Sequence, residues 1–277
     1  MEIAFSTNAF KKFTLNNTIN ILAEIGYKGV EILCDIPHAY PKTITSSNID
    51  ELKQLLSKLK ISISNLNAFT LFALGDTYHP SWIENDLEKR KLRIDHTKDC
   101  ITLARKLGAR NISTEPGGPA INQGLNENEL LKVFANGINK ILKVAEKANV
   151  TVLVEPEPGL LIENSEQFIK FIKNFDSEHI GLNFDIGHFF CVGEDPSSVI
   201  YKLSEYARHV HLEDIAADKT HHHLMLGEGA IDFESFFKSM KDIGYDGFVT
   251  IELYPYQDSP ILAANNAMKF IKSFDYF

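Results

Sequence analysis

The stretch TVLVEPEPGLLIENSEQFIKFIKNFDSEHIGLNFD, residues 151–185, decides the architecture. TVLV is a short β-branched run of the kind that forms a buried strand. SEQFIKFIKNF (165–175) spaces its apolar residues for one face of a helix. IGLNFD (180–185) is a second apolar run. Strand, amphipathic helix and strand in this order make a parallel β–α–β unit. Both strands run into an acid at the C-terminal end, Glu155 after the first and Asp185 after the second.

The unit recurs along the chain. Strand-like runs fall at 3–6, 29–33 (GVEIL), 61–69 (ISISNLNAF), 109–114 (ARNIST), 209–214 (HVHLED) and 248–254 (FVTIELY). Helical patterns lie between them, at 17–27, 46–60, 84–107, 127–148, 196–207, 233–245 and 261–274. Gly26 and Gly108 read as helix stops. Ser47, with Asp50 three residues on, has capping-box spacing. Eight strand–helix units of about 35 residues, with no long linker, predict an α/β fold. It is a closed (β/α)8 TIM barrel forming one domain over 1–277. A doubly wound sheet is the alternative. It calls for fewer units and a glycine-rich first turn, and STNAFKKF (6–13) contains no glycine.

Composition narrows the partners. A net charge of −9 disfavours a nucleic-acid partner, because an acidic surface repels phosphates. Three cysteines with no CxxC spacing fit free thiols in a reducing cytoplasm. MEIAFSTNAFKKF carries no signal-peptide pattern, and no apolar run is long enough for a membrane span. The expectation is a cytoplasmic protein.

In a barrel of this kind the chemistry sits at the C-terminal ends of the strands. Polar residues fall there in nearly every unit: Glu31, Asn65 and Asn67, Glu115, Glu155 with Glu157, Asp185 with His188, His209 and His211, Glu213 with Asp214, and Glu252. Singly, each has a plainer reading. Asp185 suits a helix cap, although the next helical pattern starts about ten residues on. His209 suits a satisfied core histidine, Glu31 a buried partner for a lysine, and Glu115 a cap for the Pro-Gly-Gly turn. Jointly, Glu155, Asp185, His211 and Glu252 end four neighbouring strands. Three carboxylates and an imidazole converging on one point call for a divalent cation. An oxygen-rich set with one nitrogen suits Mn, Mg, Co or Fe, with Zn also compatible.

IGYKGVEI, LVEPEP, NFDIGH, HVHLEDI, LGEGAIDF and IGYDGFVTIELY, in that order and at barrel spacing, resemble the xylose-isomerase-like superfamily of sugar isomerases and epimerases. The resemblance covers essentially the whole chain. It implies one divalent metal ion on Glu155, Asp185, His211 and Glu252, with the two glutamates as the acid–base pair. It implies a substrate contact for His188, with Gly187 allowing a turn between Asp185 and His188. Asn67, Glu115, Glu157 and His223 are expected to bind substrate as well. The implied activity is isomerisation or epimerisation of a small sugar or keto-polyol, by proton transfer through a metal-bound cis-enediolate. Dehydration of a keto-polyol, an endonuclease-like hydrolase and a non-catalytic sugar-binding barrel are the alternatives. A homo-oligomer is compatible with the resemblance.

The departures are specific. The arginine usual after the strand-seven histidine is missing, and IAADKTHHHLMLGEG carries His221, His222 and His223 instead. Either these are solvated loop residues or one or two reach the metal or substrate. Asn67 and Glu115 stand where the endonuclease branch needs histidines. The segment FALGDTYHPSWIENDLEKRK suggests a cover over the site, with Phe69, Phe72, Tyr78 and Trp82 as candidate walls.

Overall fold

In the computed structural model, which describes residues 1–121 and 124–277, eight parallel strands close into a barrel in sequence order. The strands are β1 (Glu2–Ser6), β2 (Gly29–Leu33), β3 (Ser62–Asn67), β4 (Asn111–Thr114), β5 (Thr151–Val154), β6 (Ile180–Asp185), β7 (Ala207–Leu212) and β8 (Phe248–Ile251). Pairing of β1 with β8, from Glu2↔Phe248 to Phe5↔Ile251, completes the ring. Closure removes the exposed sheet edges that an open sheet of this size would have to protect.

The helices pack outside: α1 (Leu15–Ile25), α2 (Ser46–Leu59), α3 (Leu87–Leu107), α4 (Glu127–Ala148), α5 (Ser165–Ile172), α6 (Ile186–Cys191), α7 (Pro196–Leu203), α8 (Phe233–Asp242) and α9 (Pro260–Ile271). Each of the longer ones buries a stripe. In α4 it is Leu130, Phe134, Ile138, Ile141 and Ala145, three or four residues apart, facing the strands. α1 ends at Gly26, whose φ of 108° lies in the left-handed region that glycine enters without penalty.

Several local expectations are corrected. The cap of α2 is Thr45, whose hydroxyl and backbone N–H both engage Asn48; Ser47 already lies inside the helix. α3 begins at Leu87 rather than 84, because Asp86 accepts from the Glu88 and Lys89 N–H groups and fixes the start. The strands β3, β4 and β8 are shorter than the apolar runs that suggested them. The barrel is also not filled by apolar residues alone. Inside it, His209 bridges Asn183 Oδ1 and Thr250 Oγ1, both at 2.7 Å, and Ser64 meets Thr250 at 3.0 Å. His209 is therefore a satisfied interior histidine, and it supports the layer above it.

Arg93 of α3 is fully buried, whereas Lys89 and Lys91 on the same helix are exposed. Its guanidinium donates to the carbonyls of Phe69 (2.7 Å), Pro80 (2.8 Å) and Ala68 (3.3 Å), and lies 3.5 Å from Glu115 Oε1. One side chain thus ties the end of β3 to the far part of the long loop that follows it.

Candidate active site

The four residues singled out at the strand ends do converge. Glu155, Asp185, His211 and Glu252 are all buried, and one ligand atom from each lies within 4.8 Å of the others. β-strand geometry accounts for this: Asp185 and His211 are register partners on β6 and β7, so their side chains share the inward face at one height. Glu155 and Glu252 directly follow β5 and β8 and enter at the same level.

His211 is the hub. Its Nδ1 is 3.1 Å from Glu155 Oε1 and 3.7 Å from both Asp185 Oδ2 and Glu252 Oε2. Its Nε2 is 2.7 Å from Glu31 Oε2. Glu31 therefore serves the imidazole and not a lysine, which corrects the sequence expectation. A carboxylate on the far nitrogen fixes the tautomer and orientation of a ligating histidine. Burial would raise the Glu31 carboxyl, but the His211 imidazole and the Asn65 amide hold it down to about 2. Burial works against a charged His211, yet the surrounding carboxylates raise it well above its ordinary value.

The two glutamates are each held by one oxygen. Glu252 Oε1 accepts from Asn8 at 2.8 Å and from Asn67 at 3.2 Å; Glu155 Oε2 accepts from Asn183 at 2.8 Å. Asn8 and Asn183 escaped the sequence reading. Asn183 alternates with Asp185 on β6, a signal that was available; Asn8, in the turn after β1, gave none.

Asp185 and His188 are coupled differently from the expectation. Asp185 caps the short helix α6, accepting from the His188 N–H at 2.8 Å, so the cap reading and the ligand position coincide. Gly187 is helical, not a turn residue. Its smallness is required because a Cβ there would fall 2.1 Å from Glu213 Oε1, which its own N–H reaches at 2.6 Å. Gly187→Ala is expected to push Glu213 away and cost about 1–3 kcal/mol of folding stability, readable in a denaturant titration; an unchanged midpoint would show that Glu213 relocates freely.

His188 Nδ1 lies 2.9 Å from the Pro156 carbonyl and donates to it, which turns Nε2 toward the cavity. His223 Nδ1 likewise donates to the Glu252 carbonyl at 2.9 Å, leaving its buried Nε2 without a partner. Of the three loop histidines, His221 and His223 line the cavity and His222 is exposed. Burial lowers His221 to about 4 and His223 to about 3, so both present neutral imidazoles. His188, His221 and His223 form one further donor cluster, and Asp185, Glu213 and His223 another. The loop carrying them is pinned by Asp214, which accepts from the N–H groups of Ile215, Gly227, Gly229 and Ile231.

The cavity above these groups measures about 200 Å³. Asn67, Glu157, His188 and His223 line it, and Phe69, Phe72 and Tyr78 wall one side. Tyr78 donates to Glu157 at 2.7 Å; burial pushes that carboxyl up to about 7 against the pull of His188 and the Tyr78 hydroxyl. Two expectations fail here. Glu115 does not line the cavity: it sits beside Arg93 and accepts from the Trp82 N–H. Trp82 is wholly buried against Phe134, with its indole N–H on Thr114, and is core rather than cover.

The donor set fits a divalent ion. Asp185 Oδ2 is buried with no hydrogen-bond partner, and it points toward the same small volume as Glu155, His211 and Glu252. An unpaired carboxylate oxygen in that position is costly unless a cation completes it. No helix among the described residues is long and apolar enough to cross a membrane.

Comparisons with known proteins agree with the fold. Residues 19–274 match the family described as xylose isomerase-like TIM barrel. An inosose dehydratase of Clostridium beijerinckii is 26% identical over 291 residues, covering 95% of this chain and 90% of that protein. Among solved structures, a D-tagatose 3-epimerase-like protein superposes with a TM-score of 0.84 at 24% identity, over 99% of this chain and 96% of that one. The IolI protein, described with a bound zinc atom, superposes with a TM-score of 0.83 at 19% identity, over 100% and 99%. At these identities the structural likenesses establish the fold.

Proposed function

We propose that this chain, which belongs to the xylose isomerase-like TIM barrel family, is a divalent-metal-dependent enzyme that moves a proton beside the carbonyl of a small sugar or keto-polyol. One observation carries the reading: three carboxylates and an imidazole with ligand atoms within 4.8 Å of one another, buried beneath a small cavity that Glu155 and Glu252 line. Isomerisation or epimerisation is the leading reaction. Dehydration is the second, favoured by the full-length likeness to inosose dehydratase.

A divalent ion held by Glu155, Asp185, His211 and Glu252 supplies Lewis acidity to neighbouring carbonyl and hydroxyl oxygens. The protein's own groups do the rest. Glu155 and Glu252 each have one oxygen anchored by asparagine and the other directed at the centre of the cluster. Either carboxylate can take a proton from a carbon beside the carbonyl, and the opposite one can return it. Return to the other face inverts the centre; return to the adjacent carbon exchanges ketose for aldose. With its Nδ1–H given to the Pro156 carbonyl, the neutral His188 ring accepts from a substrate hydroxyl at Nε2. Glu157, kept near neutrality by burial and joined to Tyr78, is placed to protonate a departing hydroxyl in the dehydration reading. Phe69, Phe72 and Tyr78 exclude water, which strengthens each of these interactions.

The test is solvent exchange. Protein loaded with Mn or Co, given a panel of ketoses and keto-polyols in D2O, is expected to incorporate deuterium beside a carbonyl, seen by proton NMR. A parallel rise in ultraviolet absorbance from an enone would select dehydration. Absence of exchange across the panel, with metal bound, would sink the proton-transfer reading.

A further inference from the structure

We propose that the substrate carries one carboxylate group, and that Lys11 binds it. This deepens the preceding reading and rests on it for the reaction, but it comes from a different part of the cavity. Lys11 closes the 3-10 turn Thr7–Phe10 that follows β1. Among the described residues lining the cavity, it is the only lysine or arginine. Its ammonium sits over the Phe72 ring, 4.6 Å from the centroid, so the chain is aimed along the cavity wall instead of waving in solvent.

The charge is uncommitted. The next residue, Lys12, pairs with Asp258 outside the cavity, whereas no acid lies within 4.0 Å of Lys11 among the described residues. The nearby Asp35 spends its oxygens on the Ile36, Phe72 and Ala73 N–H groups and the Thr70 hydroxyl. Burial lowers the pKa of Lys11 and Asp35 pulls the other way. A half-buried ammonium with no acid in direct contact is less favourable in the free protein than once an anion arrives. One cation balances one charge. A phosphate monoester, at about −1.5 to −2, would leave excess negative charge beside Asp35 and the acid cluster, so a sugar acid fits better than a sugar phosphate.

Calorimetric titration of the Mn-loaded protein with D-gluconate, D-glucitol and D-glucitol 6-phosphate tests this. Gluconate is expected to bind about tenfold tighter than glucitol, the advantage of one charge-assisted hydrogen bond. In Lys11→Met that advantage shrinks to within about twofold, while Lys11→Arg keeps it and shows that the turn still folds. Equal binding of gluconate and glucitol by the wild type overturns the proposal. So does a gluconate advantage that persists in Lys11→Met, since the carboxylate then sits on the metal, and so does tightest binding of the phosphate. The two readings fail separately. Solvent exchange on neutral ketoses without any gluconate preference sinks the carboxylate proposal alone. A Lys11-dependent gluconate preference without exchange on any substrate leaves it standing and sinks the enzymatic reading.

Discussion

Glu155→Gln combined with His211→Ala is expected to abolish binding of the proposed divalent cation, and with it at least about a thousandfold of the proposed activity. Asp185 and Glu252 remain in that variant, but two carboxylates without the imidazole hold a hydrated ion poorly. Two measurements check it. Elemental analysis of the wild type after loading and desalting should give about one equivalent of metal, and of the variant none. Thermal unfolding should rise with added Mn in the wild type alone. A cation present at a thousandfold over its Kd stabilises the folded state by about 4 kcal/mol, on the order of 10 °C for a chain of this size. The variant's baseline is a second readout. With His211 gone, Glu31 loses its 2.7 Å partner and becomes a buried acid held by the Asn65 and Asn67 amides, with His209 at 3.9 Å. If the variant still retained a full equivalent, the ion would have to sit on His188, His221 and His223, or on Asp185, Glu213 and His223, and the assignment of the centre would change.

Arg93→Ala is expected to destabilise the fold by about 3–5 kcal/mol, the usual cost of removing one partner from a buried charge pair. Three carbonyls, of Ala68, Phe69 and Pro80, lose their donor, and Glu115 is left buried without a cation. Burial pushes Glu115 up to about 8, with Arg93 as the main opposing influence, so the lone carboxyl would have to stay protonated. The double variant Arg93→Met, Glu115→Gln should recover part of the loss, since no charge is then stranded. Denaturant titration of the three proteins gives the numbers. A single-variant cost under about 1 kcal/mol would mean that the pair behaves like a solvated one. Because Arg93 ties β3 to the loop bearing Tyr78, the same change should also raise KM for whatever substrate supports turnover, through a loosened cavity wall.

The barrel itself was legible because two periods alternate through the chain. Runs such as TVLV and FVTI repeat a buried-strand pattern, the segments between them repeat a helical one, and eight repeats without a linker close a ring. The acids at strand ends were legible for the same reason. A carboxylate after a buried run has few structural uses, and three of them with one imidazole, in four consecutive units, share one rim. Helix starts were less legible: α2 and α3 begin where a particular side chain, Thr45 or Asp86, accepts a backbone N–H, and neighbouring residues of similar type compete for that role.

By itself, then, the sequence determined the barrel and the convergence of Glu155, Asp185, His211 and Glu252, because strand periodicity and topology fix which residues share a height on the inner face, while the family came from the resemblance of its motifs. Only the tertiary structure decided the partners. It turned Glu31 onto His211, joined Asp185 to His188 through a helix cap, withdrew Glu115 to Arg93 and Trp82 to the core, and brought Lys11 over Phe72. Those contacts link residues from different strands and loops, where side-chain direction and loop path set the distance, and neither is written in local spacing.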